Sequence, residues 1–132
     1  MGKHISDSLF CTQLIMSSDE DAPIVRDVVV GFNLDKQITV SLDHFDYDHC
    51  EYNCSTAFIV NLTDALKLAR KLKVRYVELP YYITLYMEEW RKVVNPTLSM
   101  AKDCFCEIYD NFLAEGCRLK MIHTYGKNHY QC

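Results

Sequence analysis

The sequence predicts a single α+β domain over residues 1–132, with a mainly antiparallel sheet covered by about three helices. Three observations predict it: two-residue apolar alternation through most of the first 60 residues, helical spacing over much of 63–115, and a return to alternation near the C-terminus. A chain of 132 residues, 49% hydrophobic and 24% charged, has the size and composition of one domain with its own core.

The elements follow in order. Leu9 to Met16 places apolar residues on both faces, which predicts a central strand, and Ser17 to Pro23 reads as an exposed loop. Val28, Val30 and Phe32 precede Asn33–Gln37, and Ile38, Val40 and Leu42 follow it. Pairing Phe32 with Ile38, Val30 with Val40 and Val28 with Leu42 puts all six on one face, and a shift of one residue would expose one strand's apolar set. The apolar phase then slips, since His44 stands where an apolar residue is due, which predicts a bulge near Asp43–His44. With Glu51–Asn53 as a tight turn, Cys50 would oppose Cys54.

Asn61 or Thr63 caps a helix near 63–73, apolar at Ala65, Leu68, Ala69 and Leu72. Val74 to Leu79 predicts a strand ended by Pro80. A second helix near 82–94 carries Ile83, Met87, Trp90 and Val94 on one stripe. Asn95–Pro96 starts a third, near 96–115, with Leu98, Ala101, Phe105, Ile108, Phe112 and Leu113 apolar and Gly116 as its C-terminal cap. Cys117 to Tyr125 predicts a closing strand.

Charge is distributed unevenly. Residues 1–64 hold three Lys/Arg against eleven Asp/Glu, a net of −8, whereas residues 65–132 hold eleven against seven, a net of +4. Within one domain the plain expectation is internal complementarity, and the sharper one is self-association or an acidic partner.

The densest chemistry lies in Asp43–Cys54, which contains His44, His49, Cys50 and Cys54 among acidic residues. Thiolates and imidazoles suit zinc, so these four are the candidate metal ligands, although their spacing is irregular and His44 and His49 would lie on opposite faces of a regular strand. Calcium is disfavoured because the segment has no mid-loop glycine and interleaves Phe45 and Tyr47; its carboxylates, including Asp46 and Asp48, read as a solvated edge open to a partner.

Catalytic signatures are absent. Only four glycines occur, at 2, 31, 116 and 126, which excludes a glycine-rich phosphate loop, and neither Gly-x-Ser-x-Gly nor His-Glu-x-x-His is present. Cys104 and Cys106 read as packing residues of the third helix. The basic run Lys67, Arg70, Lys71, Lys73 and Arg75, with tyrosines just beyond, would be the nucleic-acid surface, but a pI near 5.7 argues against that function.

Nine tyrosines, four of them between Tyr76 and Tyr86, supply the amphipathic rings enriched at protein interfaces. The expected function is therefore non-catalytic protein binding by an accessory or inhibitory protein, with a protein partner or a second copy bound through Tyr76, Tyr81, Tyr82, Tyr86 and Trp90 together with Asp46 and Asp48. Zinc binding through the 44–54 cluster is the alternative, nucleic-acid binding through the basic 67–75 segment is a further one, and no other cofactor is expected.

No apolar run approaches the roughly 20 residues needed to span a bilayer. The N-terminus lacks a basic region followed by a sustained apolar one, so a cytosolic location with reduced thiols is expected, leaving the sequons at Asn53 and Asn61 unmodified. Gly2 and Ser6 fit a myristoylation pattern, but Asp7 and the Asp19–Asp21 run carry the wrong charge for an anionic membrane.

Overall fold

The computed structural model describes residues 5–17, 24–46, 54–93 and 100–124. A 3-10 helix, Ile5–Ser8, leads into β1 (Phe10–Ser17), β2 (Ile24–Phe32), β3 (Ile38–Asp46) and β4 (Cys54–Val60). Then come α1 (Leu62–Leu72), a second 3-10 helix (Tyr76–Glu78), α2 (Leu79–Val93), α3 (Met100–Ala114) and β5 (Leu119–Thr124). The five strands form one antiparallel sheet in the order β1-β2-β3-β4-β5, so the fold is α+β as expected.

The β2–β3 hairpin has the register that its apolar pattern selects: Phe32 opposes Ile38, Val30 opposes Val40 and Val28 opposes Leu42. Its turn is built by Asn33, whose Oδ1 accepts from the Asp35 and Gln37 amides while Lys36 takes a left-handed φ of 62°. The helix-facing side of the sheet is lined by these residues and by Phe58 and Val60. α3 lies over β2 and β3, and α2 over β1. The Phe58 ring meets Phe105 at 5.3 Å and Tyr109 edge-on at 5.3 Å, tying β4 to α3.

The opposite side of the sheet is also buried at its centre, where Thr39, Ser41, Asp43, Ser55 and Ala57 are almost wholly enclosed. The 3-10 helix Ile5–Ser8 packs there against β2, β3 and β4, and the Ile5 amide donates to Ser55 Oγ at 3.2 Å. Asp43 Oδ1 accepts from both Ser41 and Ser55 hydroxyls, so the buried carboxylate is compensated by hydrogen bonds.

That burial explains why the expected bulge is missing. β3 pairs without interruption with β2 from Ile38 to Asp46, so no bulge stands at Asp43–His44. Both sides of β3 are covered, and small polar residues fill one of them, so the alternation loses its phase without any change in backbone. Cys54 opposes His44 instead of Cys50, which lies outside the described residues.

β1 is an edge strand and not a central one. Two register shifts, between Phe10 and Gln13 and between Leu14 and Met16, break its alternation, and Phe10 and Leu14 are exposed. Cys11 adopts φ 53° at the first shift, where β1 crosses close over Gly31.

Residues 74–79 form no strand. Pro80 is the second residue of α2, where a missing N–H costs nothing because the first-turn amides have no intrahelical acceptor. The expected caps of the flanking helices hold: Asn61 Oδ1 accepts from the Asp64 amide, and Gly116 at φ 80° closes α3 while the Cys117 amide returns to the Phe112 carbonyl. Leu113, expected on the buried stripe of α3, is exposed; of the two cysteines expected to pack, Cys104 is buried and Cys106 is exposed. Leu98 and Val94 lie outside the described residues. No helix among the described residues is long and apolar enough to cross a membrane.

Candidate protein-docking surface

The second helix has more apolar residues than its packing requires. With 3.6 residues per turn, Ile83 and Met87 share the face turned to the core and are buried, while Tyr81 and Leu85 share the outward one. Tyr81 is 56% exposed, Tyr86 47% and Leu85 43%, and Val77 in the preceding 3-10 helix is exposed as well. Tyr82 and Tyr86 stand on the intermediate stripe.

Beside them a groove of about 200 Å³ opens between the three helices. Leu68 and Leu72 of α1 line it from one side, Tyr82, Ile83, Tyr86 and Met87 of α2 from another, and Ile108 and Phe112 of α3 from a third; Leu79 also contributes. Its polar lining is Asn111 and Glu115. Asn111 donates to Glu107 at 3.1 Å, and Glu115 accepts from Lys71 at 2.6 Å, so hydrogen bonds hold both polar groups beside the apolar lining. Apolar surface with a few convergent polar groups is the usual make-up of a binding cleft.

The aromatic residues singled out from sequence divide into two sets. Tyr81, Tyr82 and Tyr86 are exposed. Tyr76 and Trp90 pack against the core, Tyr76 with its ring 5.3 Å from Phe32. Of the acidic pair, Asp46 ends β3 and is only 8% exposed, which corrects its expected place on an accessible edge, and Asp48 lies outside the described residues. The groove itself was missed by sequence reasoning. Leu68 and Leu72 belong to the expected apolar stripe of the first helix, and no local pattern in the sequence shows that this stripe meets Tyr82 and Tyr86 of α2.

The basic residues Lys67, Arg70, Lys71, Lys73 and Arg75 are all exposed. Two of them meet carboxylates of their own fold: Lys71 with Glu115, and Arg75 with Glu78 at 3.8 Å. Arg118 reaches Asp64 at 2.9 Å, joining the basic and acidic halves of the chain and holding the Asp64 carboxyl below the usual range.

Of the four candidate zinc ligands, His44 and Cys54 are direct cross-strand partners, with Arg26 opposite His44 on the other side. Burial raises the Cys54 thiol above its ordinary pKa, Arg26 opposes that shift and Asp43 adds to it. His49 and Cys50 lie outside the described residues. Among the described residues no three His, Cys, Asp or Glu side chains are grouped to hold a metal ion. His123 is engaged elsewhere, its Nδ1 2.5 Å from Thr56 Oγ1.

No protein-family model, curated protein or solved structure matches the chain.

Proposed function

We propose that this protein is a small non-catalytic interaction domain, accessory or inhibitory in role, that seats an apolar segment of a protein partner in the groove between α1, α2 and α3. The observation that carries this reading is the exposure of Tyr81, Tyr82, Leu85 and Tyr86 along one side of α2, next to the cleft that Leu68, Leu72 and Phe112 complete. Large rings with few rotatable bonds give contact area at low entropic cost, and such residues dominate interface energetics. Quantitative affinity capture from the native cell extract tests it. A Tyr82→Arg/Tyr86→Arg double variant, altered at exposed positions that line the groove, should retain its fold by circular dichroism and lose the partner held by the unaltered protein. Retention of every captured protein by a folded double variant would overturn the proposal.

A second reading, zinc binding, draws support from the opposition of His44 and Cys54. Native mass spectrometry of the reduced protein would then show one zinc per chain, absent from Cys54→Ser; a metal-free mass after zinc addition would remove this reading.

A further inference from the structure

The two ends of the sheet differ. β1 has two register shifts and a left-handed residue at Cys11, irregularities that deny an incoming strand a continuous ladder. β5 is regular in its pairing with β4 from Leu119 to Thr124, and no described strand pairs with its outer edge. A regular edge of N–H and C=O groups is a template for another strand.

Apolar surface continues from that edge onto the helical side. Met121 points to this side and is 48% exposed, and its cross-strand neighbour Phe58 carries Tyr109 edge-on. Leu113, one turn beyond Tyr109 on α3, is exposed to a similar degree.

We infer that β5 pairs antiparallel with the same strand of a second copy of this chain, about a two-fold axis at Met121, joining two sheets into one. Two-fold pairing within a continuous sheet matches residues that share a face. Centred on Met121, it sets Lys120 opposite the partner's Ile122 and Leu119 opposite the partner's His123, so no like charges meet. Centred one residue earlier, it would set two Lys120 ammonium groups face to face, which is destabilising. Centred on Met121, the pairing therefore opposes no two like charges over Leu119 to His123, and this self-complementarity favours a second copy over a foreign strand. The same axis brings the exposed Met121 side chains together beside the two Leu113 surfaces.

Sedimentation of the reduced full-length protein over a wide concentration range tests the inference. A reversible dimer is expected, weakened about tenfold or more by Met121→Lys, which places two ammonium groups on the axis. Tyr81→Arg, on the separate α2 surface, should leave the dimer unchanged. As a readout independent of the lysine variant's folding, Met121→Cys should yield, on mild oxidation, a cross-link between the two substituted 121 positions, identified by peptide mass. A monomer at every concentration, a dimer of undiminished affinity in a folded Met121→Lys variant, or absence of the 121–121 cross-link would overturn the inference.

Discussion

The phenol of Tyr76 donates to the main-chain carbonyl of Lys36 at 2.6 Å, fastening the entry to α2 onto the turn of the β2–β3 hairpin. Its ring lies against Phe32, the last residue of β2. The tyrosine cluster is therefore not uniform: Tyr76 anchors the segment from which Tyr81, Tyr82 and Tyr86 project.

Removing that anchor's hydroxyl should have a modest, measurable effect. Tyr76→Phe keeps the ring contact and loses the hydrogen bond, so a stability loss of about 1 kcal/mol is expected in urea titration. Tyr81→Phe, at a position where the ring is exposed, should change the midpoint little.

Gly31 is set by the path of β1. A Cβ there would stand 2.9 Å from the Phe10 carbonyl oxygen and 2.9 Å from Thr12 Cγ2. Backbone has to move to admit it, and Gly31→Ala should cost about 1–3 kcal/mol, with hydrogen exchange accelerated first in β1.

Asp43 centres the polar network on the side of the sheet away from the helices. Asp43→Ala would leave Ser41 and Ser55 without their shared acceptor in a buried place, and a loss of about 1–3 kcal/mol is expected from thermal or urea unfolding. Ser41→Ala should cost less than Asp43→Ala, because Ser55 still supplies one donor to the carboxylate.

Stability should fall at alkaline pH. Burial lifts the Cys54, Cys104 and Cys117 thiols above their ordinary pKa of 9.0, Cys104 to about 12, and lifts the Tyr76 phenol above 10.0. The folded state thus holds these protons more tightly than the unfolded chain, so the contribution is complete below pH 9 and is lost as pH rises from there toward 12. The Asp64 carboxyl has the opposite sign: Arg118 lowers its pKa by hydrogen bonding and charge, so its contribution is present above 3.8 and disappears as pH falls through the lowered value. Melting temperatures measured from pH 3 to pH 11 on reduced protein should decline at both ends, and Cys104→Ala should flatten the alkaline limb.

Much of this fold was legible because local and tertiary signals agree. The Val28–Phe32 and Ile38–Leu42 alternation fixed the hairpin register, and Asn61 and Gly116 marked helix ends through capping chemistry. Legibility failed where a second constraint masked the first. β3 is covered on both sides, so its phase slip at His44 mimicked a bulge; β1 is bulged, so its apolar residues mimicked a central strand. Pro80 was read as a strand terminator, although proline suits a first helical turn equally well. The candidate surface was half legible. Its exposed tyrosines stood out by composition, but the cleft arises where α1, α2 and α3 converge, and no local pattern encodes that meeting.

Photo-cross-linking from a benzophenone amino acid placed at Tyr86, compared with the same group at Leu14, tests the docking surface most directly. Both positions are exposed, but only Tyr86 lines the groove, whereas Leu14 lies on the β1 edge strand. A protein partner cross-linked from position 86 and not from position 14 is the result predicted here; capture from position 14 alone, or equal capture from both, would contradict it.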